Sequence, residues 1–178
     1  DTRESLEQVL SLARGADLIV TIGGASVGDH DLVGAVAGAM GLERAFYKVA
    51  MRPGKPLMAG RIGQAALLGL PGNPVSSMVC GHLFMIPMLH AMMGLPADMG
   101  RVSRARLGDD LPANGPRAHY LRSTVQMGGD FATITPYGNQ DSSLLTVLSQ
   151  ANALLVRAPY DPPRKAGEMV EYLSLNGA

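Results

Sequence analysis

The sequence predicts an α/β domain followed by a small, mostly β domain, and three observations carry that expectation. As far as about Ala97, segments of helical periodicity alternate with apolar runs of strand length, the order expected of a helix-covered sheet. Three of those strand-like runs each feed a loop rich in Gly or Pro. Beyond Ala97 strand-like runs dominate, separated by turn residues. The expected division is therefore 1–97 and 98–178.

Length and composition agree with it. A chain of 178 residues can bury one large core or two small ones. Apolar residues make up 47%, and no segment is of low complexity, as expected of a globular protein. With 15 Lys+Arg against 15 Asp+Glu there is no basic excess, which argues against nucleic-acid and anionic-membrane partners while leaving room for a local anion pocket. The single cysteine, Cys80, rules out an internal disulfide, fits a reducing, cytoplasmic compartment and reads as a buried, inert thiol. The chain opens at Asp1 without an initiating Met or a signal-like segment, so it is expected to be part of a longer protein.

The elements follow in order. Glu4 to Arg14 reads as a helix with Leu6, Val9, Leu10 and Ala13 on one face and Gly15 as its stop. Asp17 to Ile22 is a strand rich in β-branched residues, and the helix from Leu32 to about Met40 stops at Gly41. Phe46 to Met51 reads as a further strand, followed by short strands at Leu57–Ala59 and Ala65–Leu68. A long apolar helix then starts near Pro74. Its stretch from Val75 to Leu95 approaches membrane-spanning length, but His82, Pro87 and His90 interrupt it and favour a core helix. This order predicts a largely parallel sheet with ligands at the carboxyl ends of its strands. In the second part, Val102–Leu107, His119–Met127, Phe131–Pro136, Ala153–Arg157 and Met169–Leu175 read as strands. Gly128-Gly129-Asp130 reads as a hairpin turn and Ser142–Gln150 as a short helix.

Chemistry concentrates in the three loops. Gly23-Gly24-Ala25-Ser26-Val27-Gly28-Asp29-His30-Asp31 joins a strand to a helix, where glycines bring backbone N–H groups close to one ligand and the helix dipole favours an anion. Its two carboxylates would repel a bare phosphate, so a divalent cation or a proton is expected to be shared there. The alternative is a glycine turn used only for tight packing. Arg52-Pro53-Gly54-Lys55-Pro56 holds two cations on a turn stiffened by two prolines. Lys48, four residues before Arg52 on one strand, would project from the same face. In Pro71-Gly72-Asn73-Pro74, Asn73 caps the long helix, Pro74 occupies its first turn, and Gly72 permits close approach. No zinc pattern, Gly-x-Ser-x-Gly elbow or P-loop is present.

Together these motifs resemble the molybdenum insertase (molybdopterin molybdotransferase) family, whose animal members include the E domain of gephyrin. The resemblance rests on Gly23–Asp31, Lys48-Val49-Ala50-Met51-Arg52-Pro53-Gly54-Lys55-Pro56 and Gly69-Leu70-Pro71-Gly72-Asn73-Pro74-Val75-Ser76. His119-Tyr120-Leu121-Arg122, Gln140-Asp141-Ser142-Ser143 with Ala151-Asn152-Ala153, and Ala166-Gly167-Glu168-Met169-Val170 extend it more loosely over the second part.

The resemblance implies a three-layer α/β/α molybdopterin-binding domain, its N-terminal part missing, followed by a small β-barrel-like domain. It implies insertion of molybdate into adenylylated molybdopterin with release of AMP, with Mg2+ as activator. Asp31 becomes the catalytic and metal-holding carboxylate, and Lys48, Arg52 and Lys55 the catalytic cations. Gly23, Gly24, Ser26, Gly28, Pro71, Gly72, Asn73, Pro74 and Ser142 become substrate-binding positions. Arg52 stands where many members carry Lys, and Asp141 replaces a usual Gly beside the expected molybdate contact. Asp1 falls at or beside a second acidic position of the family's site. A homodimer, and molybdopterin adenylyltransferase and molybdoenzyme partners, are implied as well. The alternative is a non-catalytic molybdopterin-binding or scaffold module.

Overall fold

The computed structural model describes residues 2–24, 32–97, 102–128, 131–141 and 145–175. They form two compact units, one of Asp1–Val49 and Gly54–Cys80, the other of Ala50–Pro53 and Gly81–Ala178.

In the first unit, helix α1 (Arg3–Leu12) starts at Thr2, whose hydroxyl accepts the Ser5 N–H at 3.2 Å. Strands β1 (Leu18–Ile22), β2 (Leu42–Tyr47), β4 (Met58–Ile62) and β5 (Ala65–Leu70) make a sheet in the order β1-β5-β4-β2. Helix α2 (Leu32–Ala39) lies against α1 and β2. Leu10 of α1 joins Val33, Val36 and Ala37 of α2 over Met58 and Leu67, forming one buried cluster. Full burial of each Leu, Val or Met side chain in it contributes roughly 1.5–3 kcal/mol.

Two expectations are corrected here. Of the pairings in this sheet only β1–β5 is parallel; β4–β5 and β2–β4 are antiparallel. The physical reason is the link between β4 and β5, Gly63-Gln64, with Gly63 at φ 58°. A parallel pair needs a crossover of a dozen residues or more, and two residues permit only a hairpin. Nor is Phe46–Met51 one strand. Strand β2 begins earlier, at Leu42, and ends at Tyr47; Lys48 takes φ 77°; and strand β3 (Met51–Arg52) pairs in a different sheet. Lys48 and Arg52 therefore do not share a strand face.

Helix α3 (Pro74–Cys80) packs on β5 and buries Val75, Ser76, Ser77, Val79 and Cys80. The chain continues through a π-helical stretch, Gly81–Met85, into α4 (Ile86–Met92). The run Pro74–Met92 is 19 residues long with mean hydropathy 1.4, enough by length and composition to cross a membrane, and 44% of its apolar window is buried. Its fully buried positions lie before Phe84, and α4 has none.

The second unit holds β3, β6 (Val102–Leu107), β7 (Ala118–Gln126), β8 (Thr133–Pro136), β9 (Ala153–Arg157), β10 (Met169–Ser174) and α5 (Leu145–Gln150). The sheet order is β3-β7-β8-β6-β10-β9, and β9 pairs again with β7. Five strands thus close into a barrel, with β3 appended to β7. Alternate residues point inward, and Ala105, Leu107, Leu121, Ala132, Ile134, Ala153, Leu155 and Val170 fill the interior.

Two side-chain amides complete the ladder of β7. Gln140 accepts the Arg122 N–H at 3.0 Å and donates to the Arg122 carbonyl at 2.9 Å. Asn152 accepts the Val125 N–H at 2.7 Å and donates to the Val125 carbonyl at 2.9 Å. At one end of the barrel the Arg157 side chain, 4% exposed, pairs with Asp161 and donates to the carbonyls of Pro112 and Pro162. Arg164 binds the other Asp161 oxygen at 2.6 Å.

Candidate functional site

The parallel pair β1–β5 aims both of its carboxyl ends the same way, and two of the three expected loops meet there. The Gly23 N–H donates to the Leu70 carbonyl at 3.0 Å. Gly23 and Gly24 take φ 81° and 72°, a left-handed backbone open to glycine at little cost. A Cβ on Gly72 would lie 3.2 Å from the Gly23 Cα, so the loops touch backbone to backbone. Pro71 is buried, Pro74 is the first residue of α3, and the Asn73 carboxamide caps that helix by accepting the Ser76 N–H at 3.1 Å. Thr21 on β1 holds a buried hydroxyl with no hydrogen-bond partner among the described residues.

Lys55 and Lys48 are exposed cations in the same unit. The Lys55 carbonyl accepts N–H groups from Val49 and Leu57, each at 3.0 Å, which closes the loop on itself. The Lys48 N–H donates to the Leu57 carbonyl at 2.8 Å, and its ammonium stands 5.1 Å from the centroid of the Tyr47 ring. Arg44 lies against the same ring at 5.3 Å. Beneath the loop, Cys80 is buried with its thiol 3.8 Å from the Gly54 carbonyl. Burial pushes that thiol up to about 12, in keeping with an inert role.

Arg52 belongs to the second unit, where β3 sets it opposite His119 on β7. His119 in turn lies opposite Arg157 on β9. Burial, reinforced by Arg52, Arg157, Arg117 and Arg122, pushes the imidazole down to about 4, so it is neutral at physiological pH. Its Nε2 is buried without a hydrogen-bond partner among the described residues. Arg122 is itself 1% exposed. Its Nε donates to the Gln140 carboxamide at 3.3 Å and its Nη1 to the Asp141 carbonyl at 3.0 Å. Burial lowers the Arg122 pKa and the Asp141 carboxylate acts in the opposite sense, so the Asp141 charge does reach this cation. Arg52 and Arg117 are exposed and add two more positive charges. This is an electropositive surface suited to an oxyanion.

Among the expected site residues, Gly23, Gly24, Pro71, Gly72, Asn73 and Pro74 gather at one strand end. Lys48 and Lys55 flank one closed loop of the same unit, and Arg52 stands in the arginine cluster of the other. Ser26, Gly28, Asp31 and Ser142 lie outside the described residues, as does Asp1. Arg117, Arg44 and Tyr47 are not marked by any sequence motif, and His119 is marked only within His119–Arg122 and not as a site residue, because strand register and ring geometry are what bring them to the cations. Gln140 and Asn152, which carry part of the family resemblance, serve the barrel ladder. Among the described residues no group of three or more His, Cys, Asp and Glu side chains gathers to hold a metal ion.

The two halves match two known domain types in this order. A model of a probable molybdopterin binding domain matches residues 1–91, and a model of the MoeA C-terminal region (domain IV) matches residues 104–175. They define an α/β domain of the probable molybdopterin binding type, followed along the chain by a β domain of the MoeA C-terminal type. The chain belongs to the molybdenum insertase (molybdopterin molybdotransferase) family.

Its relatives include the molybdopterin molybdenumtransferase of Bacillus subtilis, 30% identical over 170 residues, with 96% of this chain and 40% of the relative covered. The protein of that name from Staphylococcus aureus (strain COL) is 28% identical over 173 residues, covering 97% of this chain and 41% of the relative. Among solved structures, the molybdopterin biosynthesis moeA protein of Pyrococcus horikoshii aligns with TM-score 0.77 at 27% identity. That alignment covers 100% of this chain and 42% of the other. A molybdenum cofactor biosynthesis protein from Pyrococcus furiosus aligns with TM-score 0.69 at 25% identity, covering 97% and 54%. The chain therefore spans about two fifths of the length of the curated relatives it matches.

Proposed function

We propose that this chain serves molybdenum cofactor biosynthesis in the cytoplasm, as part of a protein that inserts molybdate into adenylylated molybdopterin and releases AMP. The observation that carries the reading is the backbone contact of the Gly23 and Gly72 loops at the carboxyl ends of β1 and β5, within a domain of molybdopterin-binding type. Ligands of α/β sheets sit at such strand ends.

A Cβ on Gly24 or Gly72 would meet the Val33 side chain or the Gly23 backbone, so glycine there lets the two loops close tightly at the strand ends where the phosphates would bind. Cleavage of a phosphoanhydride builds negative charge on the leaving oxygens, which Lys48 and Lys55 offset without proton transfer. In the second unit the exposed Arg52 offers guanidinium N–H groups to the tetrahedral oxyanion, the buried Arg122 adds positive charge, and Ser142 adds a hydroxyl. The neutral His119 keeps a further positive charge out of that cluster. When bound, Mg2+ would supply charge neutralisation at the phosphate, and Asp31 is the carboxylate assigned to it. A homodimer, with molybdopterin adenylyltransferase upstream and molybdoenzymes downstream, completes the proposal.

The test is AMP release from adenylylated molybdopterin with molybdate and Mg2+. Release is expected, and Asp31→Ala or Lys55→Ala should each lower it at least about tenfold. Full activity in both variants overturns the mechanism. Ligand binding without AMP release in the parent protein supports a molybdopterin-binding scaffold instead.

A further inference from the structure

Lys48 combines three features that ordinary strand geometry does not produce together. It is a non-glycine residue at φ 77°, it directly follows the last residue of β2, and its ammonium lies over the ring of its own neighbour, Tyr47, at 5.1 Å from the centroid. Consecutive side chains of an extended strand project to opposite faces. The left-handed backbone at Lys48 is what brings its side chain round to the ring. Such a conformation is uncommon for a side-chain-bearing residue and persists only where its surroundings hold it. Here the hold is visible. The Lys48 N–H is fixed on the Leu57 carbonyl at 2.8 Å, and Tyr47 is in register with Met58 and packs against the buried cluster of Leu10, Val36 and Leu67. The distance is within the roughly 6 Å over which a cation is drawn to an aromatic face.

We propose that Tyr47 is a positioning residue for Lys48: its core-anchored ring holds the Lys48 ammonium in place for an anionic group of the substrate. Arg44, 5.3 Å from the same centroid, adds a second cation to the ring. Among the described residues neither Lys48 nor Arg44 has a carboxylate partner within ion-pair distance, so the ring gathers positive charge that a phosphate can neutralise. This inference rests on the proposed role of Lys48 at the substrate phosphates. What it adds is the means by which a flexible four-carbon side chain is preorganised for that role.

The test compares Tyr47→Phe, Tyr47→Trp and Tyr47→Leu with Lys48→Ala in the purified protein. AMP release is measured alongside the ring-current shift of the Lys48 side-chain methylene protons next to the ammonium. Phe and Trp keep an aromatic face, so both should retain the upfield shift and turnover near that of the parent. Leu should abolish the shift and lower kcat/KM about three- to fivefold, the factor a surface cation–π contact supports. Unchanged turnover in Tyr47→Leu, with Lys48→Ala impaired, overturns the inference. Equal loss in the Phe, Trp and Leu variants also overturns it, because the ring face would then not be what matters. If Lys48→Ala turns over normally, the catalytic reading of Lys48 fails instead. The methylene shift then still reports, independently of activity, whether Tyr47 holds the ammonium; its absence in the parent protein refutes the contact itself.

Discussion

Gly72→Ala probes the meeting of the two glycine loops directly. The added methyl would stand 3.2 Å from the Gly23 Cα and 4.0 Å from the Gly23 N, and both are backbone atoms that no rotamer change can move aside. Carbon atoms rest at about 3.5–4.0 Å, so the loops must part by roughly 0.3–0.8 Å. Gly72 does not lie in the left-handed region, so the effect comes from the contact and not from φ. Overpacking of this size costs about 1–3 kcal/mol, and each kcal/mol lowers Tm by about 2–4 °C in a chain of this length. Because displacement of about 1 Å in a binding loop can cost on the order of a hundredfold in rate, AMP release should fall on the order of tenfold. Gly38→Ala supplies the opposite sign. Gly38 is an exposed residue of α2 with nothing within 4 Å of an added Cβ, and the change should stabilise by about 0.5–1 kcal/mol. Thermal unfolding and AMP release on the three proteins decide the matter. A Gly72→Ala protein with the parent's Tm and turnover would refute the backbone contact.

The remaining expectations concern charge, protonation and burial. Asp161→Ala leaves the buried Arg157 guanidinium without its carboxylate and should cost about 3 kcal/mol in denaturant unfolding. His119 has its folded-state pKa depressed, so between about 4 and 6.5 the unfolded chain binds a proton that the folded chain does not. Stability is therefore complete above pH 6.5 and declines as pH falls toward about 4; His119→Gln should flatten that slope in unfolding curves at pH 7.5 and 5. The Asp161 carboxyl is likewise held below its ordinary range, chiefly by its hydrogen bond from Arg164, so its contribution disappears at still lower pH, as the folded-state carboxyl protonates. Cys80 should be silent to a thiol reagent at pH 8 in the native protein and react fully once denaturant is added.

Local periodicity made much of this fold legible. Leu18–Ile22, Ala65–Leu70 and Ala153–Arg157 are apolar, strand-length runs bounded by turn residues, and each is a strand. Asn73-Pro74 carries its own helix-start chemistry. Non-local pairing was not legible. Nothing in two residues, Met51-Arg52, announces a strand whose partner lies at Ala118-His119, and closure of the barrel depends on β9 returning to β7. The parallel-sheet expectation failed because Gly63-Gln64 reads as a loop of unspecified length until both flanking strands are placed. Lys48 was misplaced onto a strand because a left-handed backbone is signalled by Gly or Asn, and Lys gives no such signal. Of the candidate site, the Gly/Pro loops were readable from composition. His119 became notable only when register set it between Arg52 and Arg157.

The amides of Gln140 and Asn152 have a consequence outside the fold itself. Strand β7 is nine residues long, yet β9 pairs with it only over His119–Ser123 and β8 only over Ser123–Gln126, while β3 covers Ala118 and His119. Bare N–H and C=O groups in the gaps would be templates for a strand from another molecule. Gln140 and Asn152 occupy them, at Arg122 on one edge and Val125 on the other, each with a donor and an acceptor in the places a neighbouring backbone would use. They act as single-residue surrogates for a neighbouring strand, and by filling those places they keep β7 from recruiting its own kind at high concentration.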